Sequence, residues 1–163
     1  PAEGRSSGLQ IKAFAVPGKV ALWLEDPSKG ANFGSVDEDT IALEIVSEET
    51  GSKFFYIPAC AYVPDWLKDK LNNTDLLFFD GTLWTDDEMI QQKVGIKTGK
   101  RMGHISMSGK EGSLALFQSI NIKRKIFIHI NTTNPALLEN SKERELLNSK
   151  GWEVSYDTME IQI

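Results

Sequence analysis

The sequence contains a single cysteine, Cys60, and lacks any long apolar run. One cysteine cannot form an internal disulfide, and it has no second thiol with which to hold a metal. A helix that crosses a bilayer needs roughly 20 consecutive apolar residues. The absence of such a run argues against a membrane-spanning helix. We therefore expect a cytoplasmic protein without a membrane partner, in which Cys60 is a small buried apolar residue, although a secreted origin stays open.

The sequence also lacks a basic stretch. It has 18 Lys and Arg residues against 23 Asp and Glu residues, giving a net charge of −5. Proteins that bind nucleic acids concentrate positive charge on one face or along one helix, so this pattern argues against a nucleic-acid partner. The length of 163 residues, with 40% hydrophobic residues, is sufficient for one domain with a sizeable core.

Short apolar runs alternate with turn signals along the chain. This pattern predicts strands at 11–16, 20–24, 40–46, 53–57, 75–80, 125–130, 152–156 and 159–163, with Pro17-Gly18 joining the first two. Helices are predicted after Pro64, from a Thr85–Glu88 capping box toward Gln92, over 112–120, and from Asn140 or Ser141 to Gly151. Interleaved strands and helices indicate an α/β fold with a mixed sheet.

Polar side chains follow the two most apolar predicted strands. Asp80 ends the first strand, and His129 lies near the end of the second. The carboxyl ends of such strands form the usual ligand crevice of α/β sheets. A turn-capping role for Asp80 and a core role for His129 remain alternatives. Likewise, Asn131 and Asn134 either form a turn or orient His129 and bind substrate.

A glycine-punctuated loop, residues 97–104, lies between these strands and ends at His104. Its basic side chains are candidates for binding an anionic substrate, because Lys and Arg pair well with carboxylates. These candidates are Lys97, Lys100 and Arg101. A solvated loop is the structural alternative.

Three motifs in this order are informative together: DGTLWTDDEM at 80–89, KTGKRMGH at 97–104 and IFIHINTTNP at 126–135. Two further ones are AFAVPGKVALWLE at 13–25 and GWEVSYDTMEI at 151–161. The combination resembles the family of B proteins of pyrroloquinoline quinone (PQQ) synthesis, a branch of the metallo-β-lactamase superfamily. This resemblance implies a four-layer αββα sandwich of two similar halves, with a metal site at the seam between them.

The resemblance also implies that residues 1–163 are the carboxy-terminal part of one such domain. The main metal signature of the superfamily, His-x-His-x-Asp-His, lies in its first half. This sequence has only two histidines, 25 positions apart, and no such cluster. The start at Pro1 without a Met agrees with the middle of a longer polypeptide or a shortened chain.

By resemblance, three residues acquire roles. His129 corresponds to the last metal-binding His of the superfamily. His104 corresponds to an extra His of the tRNA-processing nuclease branch, where it works with an acid at the position of Asp80. A carboxylate that bonds an imidazole fixes its tautomer and stabilises the cation. Two-metal relatives carry a bridging Asp where this sequence has Ala59, so we expect one metal at most, Fe(II) or Zn, in the full-length protein.

The function implied is PQQ biosynthesis, with the full-length protein acting as an iron-dependent hydroxylase or oxygenase on the Glu-Tyr-derived precursor. A non-enzymatic carrier of PQQ or its precursor is the main alternative. A metallo-hydrolase is disfavoured by Ala59 and the acidic charge. Half a sandwich exposes an inner sheet face, so we expect this chain alone to form a homodimer, to be inactive and to hold no stoichiometric metal.

Overall fold

A computed structural model describes residues 6–162, which build a six-stranded mixed sheet with its strands in sequence order. The strands are β1 (Leu9–Ala15), β2 (Ile41–Ser47), β3 (Lys53–Ile57), β4 (Thr74–Asp80), β5 (Ile122–Ile128) and β6 (Trp152–Val154). Strands β1 to β3 pair antiparallel, whereas β3 to β6 pair in parallel. The expected α/β fold with a mixed sheet is confirmed.

Short helices connect the strands. The α-helices are α1 (Asp65–Leu71), α2 (Glu88–Gln91), α3 (Gly99–Met102), α4 (Ser113–Leu116) and α5 (Lys142–Ser149). Single 3₁₀ turns occupy Leu22–Leu24, Pro27–Lys29 and Pro135–Leu137. Ser141 caps α5, because its hydroxyl accepts the Arg144 N–H, as predicted. No helix in residues 6–162 is long and apolar enough to cross a membrane.

The core lies on one face of the sheet. Phe79 packs edge-on against Phe117 at 4.8 Å between ring centroids, and Phe127 stacks on Trp152 at 3.9 Å. Each such aromatic pair contributes about 0.5–1.5 kcal/mol beyond the burial of its area. The core therefore immobilises β4 and β5, and polar side chains at the ends of these strands stand on a rigid support.

The opposite face of the sheet is more exposed at its antiparallel end. The strand register places Ile11, Ile41 and Tyr56 on this face. These side chains are 63%, 48% and 40% exposed. The face is thus apolar and partly open to solvent, while the expected homodimer stays a prediction.

The predicted strand at 20–24 is wrong. The structure has a 3₁₀ turn there, and β1 pairs with β2 rather than across Pro17-Gly18. The N–H groups of Lys19 and Val20 donate to the hydroxyls of Thr40 and Ser35 instead of to a neighbouring strand. Side chains from the following loop therefore replace a strand partner in this segment.

Three other local predictions also need correction. The Thr85–Glu88 capping box does not form, since the Glu88 carboxylate accepts the Trp84 N–H and α2 begins at Glu88 itself. The helix predicted over 112–120 is confined to the four residues of α4. No strand forms over 159–162, and Ile163 lies outside the described residues.

Candidate catalytic and metal site

Strands β4 and β5 end side by side, with Asp80 opposite Ile128 in the parallel register. The turns that follow these strands are joined, because the Gly81 N–H donates to the Ile128 carbonyl at 2.8 Å. Only glycine fits there, since a Cβ on Gly81 would lie 2.8 Å from the Cβ of Phe127. His129 comes directly after β5 in a left-handed conformation, with φ of 54°. This conformation is uncommon for a non-glycine residue and turns the chain at the sheet edge.

His104 reaches the same edge from α3. Thr98 caps this helix by accepting the Arg101 N–H, and Gly103 ends it in the left-handed region with φ of 86°. The next peptide is tied down as well, because the Ile105 N–H donates to the Cys60 carbonyl at 2.7 Å. The N-cap, the single helical turn and the terminal glycine together therefore place His104 at the end of β4.

Asp80 is fully buried and accepts four hydrogen bonds. Its Oδ2 accepts from the Cys60 N–H at 2.9 Å and from Nδ1 of His104 at 2.8 Å. Its Oδ1 accepts from the N–H of Thr82 at 3.1 Å and from the Thr82 hydroxyl at 2.6 Å. The expected contact between Asp80 and His104 is thus present. Four donors fill the lone-pair sites of an ionised carboxylate.

Thr82 also belongs to the site, although the sequence motifs did not predict it. Its hydroxyl lies 2.8 Å from Nδ1 of His129 and 3.1 Å from Nδ1 of His104. The two imidazole rings lie nearly parallel, 28° apart, with centroids separated by 5.2 Å. The available signal was the Asp-Gly-Thr turn, in which an Asp side chain commonly accepts a backbone N–H two residues on.

Asp80, His104 and His129 each offer one potential metal-ligating atom, and these atoms lie within 4.8 Å of one another. However, protein donors already occupy the Asp80 oxygens, which leaves the imidazoles as the free groups. Zinc and iron sites usually need at least three protein ligands. Within residues 6–162, this cluster can therefore contribute imidazole ligands to a metal site, but it does not form a complete site.

Arg101, one of the predicted anion-binding residues, is already paired. Its guanidinium donates to both oxygens of Glu25, at 3.1 and 2.7 Å, and lies 3.7 Å from the centre of the Phe33 ring. Lys19 also bonds Glu25. Arg101 first, and then Lys19, lower the pKa of Glu25 to about 2. Arg101 thus fastens the segment that carries Glu25 to α3.

The structure separates the two predicted lysines. Lys97 lines a cavity of about 420 Å³ together with His104, Ala59 and Lys19. Its ammonium group is 3.9 Å from Glu25. Lys100 instead faces a different cavity, and its ammonium group lies 3.7 Å from the exposed Glu111. Among the three basic residues predicted, Lys97 is therefore the one that faces the space beside His104.

The two amides after β5 hold a turn together. Asn131 donates to the Thr133 hydroxyl at 2.7 Å. Asn134 is 2% exposed and donates to the Gly81 carbonyl at 2.9 Å. The group that contacts His129 is the Thr82 hydroxyl, so the expectation that these amides orient His129 is not supported. Their role in binding substrate stays a prediction.

Cys60 behaves as a buried apolar residue, as expected. Its side chain has no solvent exposure, and its Sγ donates to the Tyr62 carbonyl. Burial, and secondarily the negative charge of Asp80, raise the pKa of the Cys60 thiol to about 12. Because the thiolate is the reactive form, Cys60 is not placed to act as a nucleophile.

Residues 2–130 match the family described as a Beta-lactamase superfamily domain. The chain therefore belongs to the β-lactamase superfamily. Within it, the sequence is similar to coenzyme PQQ synthesis protein B: 48% identical over 157 residues to the Xanthomonas oryzae protein and 47% over 160 residues to that of Bradyrhizobium diazoefficiens. These matches cover 96% and 98% of this chain but 52% and 51% of the relatives. The chain thus spans about half the length of the curated relatives and corresponds to their carboxy-terminal part.

Solved structures agree with this assignment. Zn(2+)-bound PqqB from Methylobacterium extorquens superposes with a TM-score of 0.89 at 43% identity, covering 97% of this chain and 52% of that one. The short form of human tRNase Z gives a TM-score of 0.54 at 17% identity, with 98% and 45% coverage. The second likeness shows the fold alone. The resemblance found in the sequence motifs is therefore confirmed, and the matching superfamily supports the expected half-sandwich architecture.

Proposed function

We propose that the protein acts in PQQ biosynthesis and forms one side of a metal-dependent hydroxylase site, which the rest of a full-length chain completes. The observation that carries this proposal is the cluster of Asp80, Thr82, His104 and His129 beside a cavity, in a chain similar to zinc-bound PqqB. The substrate proposed is the Glu-Tyr-derived PQQ precursor.

A metal bound through His129 and ligands from outside this chain would supply a coordination position for dioxygen, as non-haem iron does. In the overall reaction, one oxygen atom replaces a ring hydrogen as hydroxyl and the other leaves as water. An external reductant must supply two electrons, and two protons are taken up to complete the water.

His104 is proposed as the group that moves a proton during this reaction. Its Nδ1–H is bonded to Asp80, so Nε2 carries the free lone pair and can accept a proton from a substrate hydroxyl. The buried carboxylate of Asp80 then stabilises the imidazolium that forms. Asp80 acts through His104 and does not need to reach the substrate.

Lys97 is proposed to bind a substrate carboxylate, because it lines the cavity beside His104. Ala59 lines the same cavity and offers no carboxylate to bridge two metals, which supports one metal rather than two. The same cavity could hold PQQ or its precursor without turnover, so a carrier remains the second candidate. A hydrolase is the least supported reading, since the tRNase Z likeness concerns the fold alone.

The test uses the full-length protein loaded with Fe(II) and supplied with a Tyr-containing precursor and a reductant. Oxygen consumption and a product heavier by one oxygen atom are expected. Lys97→Met should raise KM, whereas the matched control Lys100→Met, whose side chain faces a different cavity, should leave KM unchanged. His104→Gln should lower kcat. Stoichiometric PQQ binding without oxygen consumption would contradict the hydroxylase and favour the carrier.

A further inference from the structure

Thr82 is the point at which both histidines and the buried carboxylate meet. We propose that its hydroxyl is a positioning group that fixes the proton of His129 on Nδ1 and leaves Nε2 free to bind a metal. The metal part of this inference rests on the function proposed above. The tautomer part stands on the hydrogen bonds of the described residues alone.

Hydrogen-bond donors surround the carboxyl group of Asp80. Three N–H groups point at its oxygens, from the Cys60 and Thr82 backbones and from the His104 ring. Three N–H donors around one carboxyl group stabilise its ionised form. Asp80 is therefore an acceptor only, as an ionised carboxylate is.

The Thr82 hydroxyl donates its hydrogen to Asp80. Its oxygen lies 2.6 Å from Oδ1 of Asp80, a distance typical of a charge-assisted O–H···O⁻ hydrogen bond. Since the carboxylate has no hydrogen to offer, the hydroxyl must donate its own. A hydroxyl has one hydrogen, so Thr82 can only accept from its other neighbours.

The direction of the Thr82 hydroxyl determines where the two imidazole rings carry their hydrogens. Nδ1 of His129 lies 2.8 Å from the Thr82 oxygen, so the hydrogen between them must belong to the ring. Nδ1 of His104 lies closer to Asp80, at 2.8 Å, than to Thr82, at 3.1 Å, and its hydrogen is shared between them. A neutral imidazole carries one hydrogen, and hence Nε2 of His129 is left with a free lone pair.

Removing the hydroxyl should release this constraint. Thr82→Val keeps the shape of the side chain and the backbone N–H bond to Asp80, but it offers His129 no acceptor. Thr82→Ser keeps the hydroxyl and is the matched control. Loss of a group that orients a metal-bound imidazole typically lowers metal affinity about 10- to 100-fold.

Nitrogen-15 NMR of the metal-free chain, at a pH where both imidazoles are neutral, tests the tautomer directly. The chain has two histidines, so a His104→Gln variant assigns both rings. In wild type and Thr82→Ser, Nδ1 of His129 is expected to carry the hydrogen. In Thr82→Val, the population should move toward the hydrogen on Nε2, while the His104 Nδ1–H signal persists. A wild-type His129 with its hydrogen on Nε2 would overturn the inference even if the valine variant failed to fold.

Zinc titration of the full-length protein tests the metal part. Thr82→Val should bind zinc about 10- to 100-fold more weakly than wild type, and Thr82→Ser should stay close to wild type. If the NMR result holds but Thr82→Val binds zinc as wild type does, then the tautomer is correct and His129 is not the ligand proposed. The two failures are thus distinguishable.

Discussion

Replacing Asp80 with Asn changes one carboxylate oxygen into an NH₂ group, although all four neighbouring groups are hydrogen-bond donors. In either orientation of the amide, the NH₂ group then faces two donor hydrogens. If the nitrogen faces Thr82, the hydroxyl can turn, but the Thr82 backbone N–H loses its acceptor. If it faces the other side, His104 can change tautomer, but the Cys60 N–H loses its acceptor. At least one buried backbone N–H is left unsatisfied in both cases.

An unsatisfied buried donor costs about 1–3 kcal/mol, so Asp80→Asn should lower the free energy of unfolding by about that amount. The matched control is Asp65→Asn, because the Asp65 side chain is 92% exposed and pairs with Lys68 within α1. That change should stay within about 0.5 kcal/mol of wild type. Urea unfolding followed by circular dichroism measures both values. Equal stabilities of the two variants would refute the four-donor description of Asp80.

Three further predictions concern pH, thiol chemistry and association. The pKa of Glu25 is lowered from 4.5 to about 2, so its pairing stabilises the fold above pH 4.5. This stability is lost as the pH falls from 4.5 toward 2. The melting temperature of Glu25→Gln should therefore fall less steeply than that of wild type over this range. Cys60 should resist iodoacetamide at neutral pH and react once the chain is unfolded, and rapid alkylation of the native chain would contradict its burial. Light scattering should show a homodimer that Ile11→Lys weakens, and a monomer at all concentrations would exclude it.

The parts of the fold that were predicted correctly depend on local sequence. The run Asp75–Asp80 is continuously apolar between its ends, as expected for a strand buried on both faces, and it lies within β4. The strands predicted at 40–46 and 53–57 correspond to β2 and β3, with β-forming residues on both sides of a Thr-Gly-Ser turn. The helix predicted after Pro64 is α1, which begins at Asp65. In each case, neighbouring residues alone favour the observed structure.

The parts that were missed depend on contacts between distant residues. Pro17-Gly18 resembles a hairpin turn, but β1 finds its partner in β2, beyond a long loop. The role of Thr82 arises because His104 and His129, 22 and 47 positions away, both fold back onto its hydroxyl. Likewise, only the structure shows that the Glu25 carboxylate pairs with Arg101, 76 positions away. Local sequence patterns do not show which distant residues come into contact.

We propose above all that His129 contributes a metal ligand to a hydroxylase site in the full-length protein. The most direct test is the metal content and oxygen consumption of full-length His129→Ala, compared with wild type after loading with Fe(II) and removal of free metal. The account predicts that wild type retains one metal per chain, and that the variant folds but loses bound metal and oxygen consumption together. A folded His129→Ala protein with wild-type metal content and turnover would contradict it.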